Sequence, residues 1–346
     1  MEKSGNSVGF PSEVGGWFSG TRLVRFRGMN VYAVNTTATS IWHATTERPH
    51  CPRVSALKGC CVNARETRAL GLHDRLAVTS PIELIVPDAD LRCIPREFRY
   101  HVYGGSFPRG AFCDFGDGLF IASPELSLVQ HASSLSVAGV LLLALEMCGS
   151  YRLTADDGFA TGCEALTSAA RLRRFVSAAK GMPGQPRAMR AMRYVVDGSA
   201  SPMESAVLVR LCLPLKHGGY ACPLPVMNGL LQLTEALQDL SGRGYLLGDL
   251  LWPDEGLLLE YNGEEWHTGR QRITRDALRA NAIALSGVKA LSLTADIYND
   301  PQAFHAVARR VLREVGTRYR KPTQGQLAKR LNLPQELREQ ERLIRC

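Results

Sequence analysis

The stretch Gly248–His267, "GDLLWPDEGLLLEYNGEEWH", decides the fold of this chain. Two apolar runs flank a Pro-Asp-Glu-Gly turn, a pattern that predicts a β-hairpin. Asp249 lies near the start of the first strand and Glu260 near the end of the second, followed by the turn pair Asn262-Gly263. The hairpin therefore carries an acid on each strand at the end away from its turn.

The segments around the hairpin extend it into a larger α/β (α+β) unit. Residues 199–215 have a capping Ser, an early Pro and Glu204 in the first turn, which predicts a helix. Apolar periodicity and turn residues predict the elements that follow. They are strands within 226–233, 242–253 and 256–263, a helix over 269–287, a strand over 288–298 and a helix over 301–320. The order is helix, β-meander, helix, strand, helix.

The length of 346 residues allows two domains, each with its own core. We expect a flexible N-terminus, a separate mixed N-terminal domain that is β-rich and then helical, a basic helical linker, the α/β domain and a basic, exposed C-terminal tail. Their limits are 1–30, 31–165, 166–198, 199–316 and 317–346. The apolar run from Val137 is shorter than the ~20 residues of a membrane span, so it predicts a buried helix.

Two basic segments admit a bland and a functional interpretation. Residues 166–195 hold six arginines and Lys180, with no acid between Glu164 and Asp197. Two helices around the breaker "KGMPGQP" are predicted there, serving as a solvated linker surface or as a flank that contacts phosphates. The tail resembles the opening of a helix-turn-helix, with Leu327 and Leu331 as packing residues, although short amphipathic tails are common.

Composition favours a reduced intracellular protein with an acidic partner. The formal net charge of +8 leans towards nucleic acid. None of the ten cysteines forms a C-x-x-C pair, so we expect structural thiols and neither a zinc ribbon nor a disulfide framework. The N-terminus has no apolar core of the signal-peptide type, and no membrane association is expected. These features predict a cytoplasmic protein.

Two carboxylates on neighbouring strands suit phosphodiester hydrolysis. Mg²⁺ prefers one or two carboxylates with several waters, and a bound divalent metal activates water and stabilises charge on phosphate. Asp249 and Glu260 are therefore the candidate ligands for Mg²⁺ or Mn²⁺. Asp249 and Glu204 also have structural explanations, because Asp favours turns and the helix dipole stabilises an acid in the first turn. Glu260 ends an apolar run, where an acid is costly without a partner.

The order Glu204, Asp249, Glu260-x-Asn262 resembles the PD-(D/E)xK nuclease core, the restriction-endonuclease-like fold. Residues 199–316 are also similar to the very-short-patch mismatch-repair endonucleases and to a bacterial domain family related to them. That resemblance rests on Asn262-Gly263, on Trp266-His267 and on the spacing Arg272-x-x-x-Asp276.

The resemblance implies a metal-dependent endonuclease that acts on nucleic acid, most simply DNA, in repair or phage defence. It assigns Asp249 and Glu260 to the metal and Glu204 to an additional acid. It makes His267 the active-site His. Independently of the resemblance, Arg272 and Arg275 of the basic helix are expected to neutralise the nucleic-acid backbone, because phosphate contacts need positive charge. Taken alone, a His in this position is more often structural, and the two arginines suit a solvated helix face.

One position departs from the nuclease pattern. The residue two after the second acid is generally Lys, or Asp in the related bacterial domains, and here it is Asn262. Asn is neutral, so it cannot act as a general base. Two alternatives remain open: compensation by His267, Arg272 or a second metal, or a catalytically degenerate fold that serves as a DNA-binding module.

The N-terminal half, with "IWHATTERPH" from Ile41, resembles the region that precedes such domains in abortive-infection type antitoxins. This resemblance implies a protein partner through the N-terminal domain or an antitoxin-like regulatory role.

Overall fold

The structure, a computed structural model, describes residues 30–46, 52–60, 72, 81–92, 96–232, 245–263 and 285–345. The chain forms two compact units. The first comprises Met1–Ile41 and Pro49–Ser123, and the second comprises Trp42–Arg48 and Pro124–Cys346. The helices that begin at Pro124 therefore belong to the same unit as the predicted nuclease core.

The described residues form both strands and helices, giving a mixed α/β protein. The strands are β1 (Val31–Ala33), β2 (Arg53–Val54), β3 (Ile82–Val86), β4 (Phe98–Val102), β5 (Phe112–Asp114), β6 (Leu119–Ala122), β7 (Tyr151–Leu153), β8 (Phe159–Thr161), β9 (Val226–Gln232), β10 (Tyr245–Trp252), β11 (Leu257–Asn262) and β12 (Lys289–Thr294). The helices are α1 (Asn35–His43), α2 (Pro124–His131), α3 (Val137–Met147), α4 (Ala169–Ala178), α5 (Gln185–Ala191), α6 (Pro202–Cys212), α7 (Ala295–Asn299), α8 (Pro301–Glu314) and α9 (Gln324–Arg345). Short 3-10 turns occur at Ala89–Leu91 and Leu215–His217.

The first unit is built on a six-stranded mixed sheet with the order β2-β5-β6-β1-β3-β4. The central strand β1 pairs parallel with β6 and antiparallel with β3. Every residue of β1, β3 and β6 is buried, which explains why these short strands are almost entirely apolar. The prediction of a β-rich segment after residue 31 is confirmed.

Helix α3 is the apolar centre of the second unit, as its sequence predicts. All eleven of its residues are buried, and Ser136 Oγ caps the helix by accepting the Gly139 N–H at 3.2 Å. Gln340 of α9 adds a second cap, because its Oε1 accepts the Ser136 N–H at 2.7 Å. A Cβ at Gly139 would lie 2.3 Å from that Oε1, so a larger residue there would displace the Gln340 side chain from this cap.

The basic segment forms the two predicted helices, α4 and α5, around the turn at residues 179–184. Several of its arginines bond within the fold. Arg187 Nη1 donates to the carbonyl oxygens of Ala132, Ser133 and Leu135, and Arg173 Nε donates to that of Met192. These bonds fix the helices to the rest of the unit.

The predicted order of elements in the α/β core is present wherever the structure describes it. Helix α6 precedes β9, β10 and β11, and β12 and α8 follow. These strands form one mixed sheet with the order β12-β11-β10-β9, in which β11 and β12 run parallel and the other pairs are antiparallel. A restriction-endonuclease-like core is the finer prediction, and the predicted helix over 269–287 falls almost wholly outside the described residues.

One strand is shorter than predicted. The sequence predicts a strand over 288–298, whereas β12 ends at Thr294 and α7 follows at once. Thr294 Oγ1 accepts the Ile297 N–H at 3.4 Å and so caps this helix. The side-chain cap ends the strand despite the apolar residues beyond it.

The prediction of an exposed C-terminal tail is wrong for most of the tail's length. Residues 324–345 form the single helix α9, which packs on α3 and α6 and buries Leu333, Leu337 and Ile344. The apolar residues are sparse among many charges, so their helical spacing is easily missed. Leu327 and Leu331 are exposed, and no turn divides the helix, so the helix-turn-helix interpretation is also wrong.

Within the described part of the chain, no helix is long and apolar enough to cross a membrane. The cysteines described there that are free thiols are Cys60, Cys113, Cys148, Cys163, Cys212 and Cys222, and all but Cys60 are buried.

Candidate active site on the four-stranded sheet

Helix α6 presents a buried acid to the sheet. Ser201 caps the helix by accepting the Glu204 N–H at 3.2 Å. Glu204 Oε2 in turn accepts the Ala200 N–H at 2.9 Å and the Asn228 Nδ2–H at 2.7 Å. Burial raises the pKa of Glu204, while the bonds from Ala200, Asn228 and Ser201 oppose the rise. The acid therefore serves both as a capping group and as a link to β9.

Asn228 is a residue of this site that sequence reasoning missed. It lies inside β9 with a left-handed φ of 47°, and its Nδ2 also donates to the Gly198 carbonyl at 2.9 Å. Pairs Met227–Leu250 and Gly229–Gly248 flank it, which places Asn228 opposite Asp249. The signal was available in the sequence, because Asn-Gly within an apolar strand marks a backbone irregularity.

The two predicted metal ligands lie side by side where the hairpin pairing stops. The paired residues of β10 and β11 run from Trp252–Leu257 to Leu250–Leu259. Asp249 and Glu260 are the next residues of the two strands. Asp249 Oδ2 accepts the Tyr261 backbone N–H at 2.7 Å, so its carboxylate reaches across to the neighbouring strand. Both acids are half-buried.

The row continues on the far side of β11. Glu260 pairs with Ser292 of β12, and Asn262 Nδ2 donates to Ser292 Oγ at 2.6 Å. A polar row therefore crosses all four strands, formed by Asn228, Asp249, Glu260 and Ser292. The neighbouring row, Met227–Leu250–Leu259–Leu291, is entirely apolar. Ser292, a lone Ser within "ALSL", was also missed.

The acids of this site determine which metal ion it is able to bind. In the part of the chain that the structure describes, no three His, Cys, Asp or Glu side chains are grouped to hold a metal ion. Glu204 thus does not form such a group with Asp249 and Glu260, and it faces the row through Asn228. Two adjacent carboxylates nevertheless satisfy the protein share of a Mg²⁺ site, in which water supplies the other ligands.

The other predicted site residues fall in the segment after the hairpin. His267, Arg272 and Arg275 lie outside the described residues. Asn262 is exposed at the end of β11, in the position where the nuclease pattern has Lys.

The chain matches no protein-family model, no curated protein and no solved structure. The interpretation of the site therefore rests on its own geometry and on the motif order.

Proposed function

We propose that residues 199–316 carry a metal-dependent endonuclease site that hydrolyses phosphodiester bonds in nucleic acid, most simply DNA. The observation that carries the proposal is the adjacency of Asp249 and Glu260 beyond the last paired residues of the hairpin. Two carboxylates on adjacent strands of one sheet repel each other, and a divalent cation between them would relieve that repulsion, with water completing its ligand set.

Asp249 and Glu260 would hold Mg²⁺ or Mn²⁺. Bound there, the metal supplies an activated water and neutralises charge on the phosphate. The Tyr261 amide fixes the orientation of the Asp249 carboxylate by the hydrogen bond to Oδ2. Preorganisation of this kind matters because small displacements of a ligand weaken a site.

Glu204 acts as a positioning residue in this proposal. It anchors the amide of Asn228, which lies opposite Asp249 in the row. His267 is proposed as the general base or a phosphate contact, and Arg272 and Arg275 as contacts to the nucleic-acid backbone. The role of His267 comes from the motif resemblance, and the roles of Arg272 and Arg275 come from the positive charge that phosphate contacts require.

The second candidate is a catalytically inactive nuclease fold that binds nucleic acid. Asn262 favours it, because a neutral amide bonded to Ser292 stands where a lysine would polarise the attacking water. In this case the first unit would supply regulation by binding a protein partner, as the antitoxin-like resemblance implies.

Plasmid nicking tests the first candidate. The full chain is incubated with supercoiled plasmid and Mg²⁺ or Mn²⁺, beside Asp249→Asn and Glu260→Gln. Asp254→Asn and Glu255→Gln are matched controls, since they remove the same charges from the exposed turn of the same hairpin. We expect nicking by the wild type and both controls, and none by the two site variants.

Binding of Mn²⁺, followed by electron paramagnetic resonance, gives a readout that does not depend on turnover. Mn²⁺ binding without nicking, abolished by Asp249→Asn, supports the inactive fold. No Mn²⁺ binding and no nicking by the wild type would contradict the metal site itself.

A further inference from the structure

A cleft lies within the second unit, and none of its lining residues belongs to the polar row. Residues from α6, α8 and α9 line this cleft of about 370 Å³. This volume falls in the range of roughly 300–1,000 Å³ that small-molecule sites occupy. Its polar lining residues are Arg210, Tyr220, Gln302, His305, Tyr319, Lys321 and Arg330.

Arg330 is buried in this cleft with an incomplete set of partners. The side chain is only 7% exposed. Its guanidinium carbon lies 3.9 Å from the centroid of the Tyr220 ring, and Nη2 donates to the Gly219 carbonyl at 3.2 Å. Its Nε is buried without a hydrogen-bond partner. Nη1 lies 3.5 Å from Tyr319 Oη, and a guanidinium held against rings in this way presents a positive charge suited to an oxyanion in the cleft.

Arg210 adds a second buried positive charge. It packs on Phe304 and Tyr298, with its guanidinium carbon 3.4 Å and 4.4 Å from the two ring centroids, and it donates to the Tyr298 carbonyl. Among the described residues, no carboxylate forms an ion pair with Arg210 or Arg330. Because buried charges are costly without a counter-ion, two such groups in one cleft indicate an anionic ligand.

The rest of the lining suits a flat apolar group. Tyr319 and His305 contribute rings, and the exposed Leu327 and Leu331 contribute apolar surface at the mouth. Burial lowers the pKa of His305, and the nearby charges of Arg330 and Arg309 lower it further. Aromatic faces beside guanidinium groups are the surfaces on which nucleobases stack.

We propose that this cleft binds a nucleoside monophosphate. Arg330 and the exposed Lys321 contact the phosphate, and the base lies against Tyr319 and the two leucines. The inference is independent of the proposed nuclease, because it uses neither the polar row nor any residue of the hairpin.

Titration calorimetry on the full chain tests the proposal with three probes: adenosine monophosphate, inorganic phosphate and adenosine. We expect the monophosphate to bind at least about tenfold more tightly than either fragment, since charged hydrogen bonds and stacking both contribute. Binding of adenosine equal to that of the monophosphate would overturn the role of the arginines. Binding of phosphate equal to that of the monophosphate would overturn the nucleoside assignment.

Variants locate the site. Arg330→Gln is expected to weaken binding about tenfold or more. Arg330 is buried, so replacing it also affects folding. Lys321→Ala and Leu331→Glu change exposed residues of the same cleft, and both should weaken binding severalfold. Lys180→Ala is the charge-matched control, since Lys180 is exposed and does not line the cleft. Equal effects of Lys321→Ala and Lys180→Ala, or no binding of the monophosphate at millimolar concentration, would overturn the proposal.

Discussion

The carboxylate of Asp249 accepts the backbone N–H of Tyr261 at 2.7 Å, across the gap between two strands whose pairing ends one residue earlier. A side chain thus bonds to the neighbouring strand just beyond the paired residues. The same carboxylate is a proposed metal ligand. The Asp249 side chain therefore has a structural role and a proposed catalytic role, and different substitutions test the two roles separately.

The Asp249→Asn variant is expected to keep the folded hairpin and to lose metal-dependent nicking. The amide oxygen of Asn still accepts the Tyr261 N–H, so the free energy of unfolding should stay within about 1 kcal/mol of the wild type. Asp249→Ala removes the acceptor and should cost about 1–3 kcal/mol. Urea denaturation measures the stability, and plasmid nicking should be lost in both variants. An Asn variant that nicks like the wild type would contradict the assignment of Asp249 to the metal.

Asn228 allows a test of backbone strain. Its φ of 47° lies in the left-handed region, which glycine adopts freely and alanine does not. Asn228→Gly and Asn228→Ala both lose the bonds to Glu204 and Gly198. We therefore expect the alanine variant to be about 1 kcal/mol less stable than the glycine variant by urea denaturation. Equal stability of the two would show that the left-handed backbone is not retained.

Asn262→Lys restores the residue that the nuclease pattern has at this position. Polarisation of the attacking water by a charged group should raise metal-dependent nicking by about tenfold or more. Asn262 is exposed, so stability should change by less than about 0.5 kcal/mol. Asn262→Gln, which stays neutral, serves as control. No difference between Lys and Gln would indicate that this position does not limit the activity.

The low pKa of Glu83 in β3 predicts that the first unit loses folding stability in acid. Burial raises the pKa of Glu83, but the interactions with His101, the Thr36 N–H and Arg99 outweigh burial and lower the pKa to about 2. The nearest contact is from Arg99 Nη1 to Oε1 at 2.9 Å. Because the folded pKa lies below the unfolded value of 4.5, the stabilisation is complete above pH 4.5 and is lost as the pH falls towards 2.

Thermal denaturation of the wild type and Glu83→Gln between pH 6 and pH 2 tests this assignment. The melting temperature of the variant should fall less steeply with acidification, because Gln does not titrate. Parallel curves for the two proteins would contradict the role of Glu83.

The sequence predicts most elements of the four-stranded sheet because its strands are apolar runs bounded by turn residues. Strands β9, β10 and β11 each lie inside their predicted segments, and β12 is only cut short by the cap at Thr294. What the sequence does not predict is the register. Strand pairing brings together residues distant in the chain, and Ser292 pairs with Glu260 across 32 positions.

The site shows the same division. Asp249, Glu260 and Glu204 stand out in the sequence as acids at special places, at the ends of apolar runs or in a first helical turn. The role of Asn228 depends on a left-handed backbone inside a strand and on a bond to another element. Helical periodicity and strand alternation do not predict this backbone conformation or this hydrogen bond. The Asn-Gly pair indicates only that the strand is irregular at that position.

Helix α9 has a practical consequence for how this protein is divided. The nuclease resemblance ends near residue 316, yet Gln340 caps α3, and Arg345 Nη1 reaches the Thr154 carbonyl at 2.6 Å. A fragment that stops at Gly316 would keep every strand of the sheet while exposing the apolar surfaces of α3 and α6 that Leu333, Leu337 and Ile344 cover. We expect that fragment to aggregate, since large uncovered apolar surfaces associate. The boundary of the motif is therefore not a boundary at which the polypeptide folds independently.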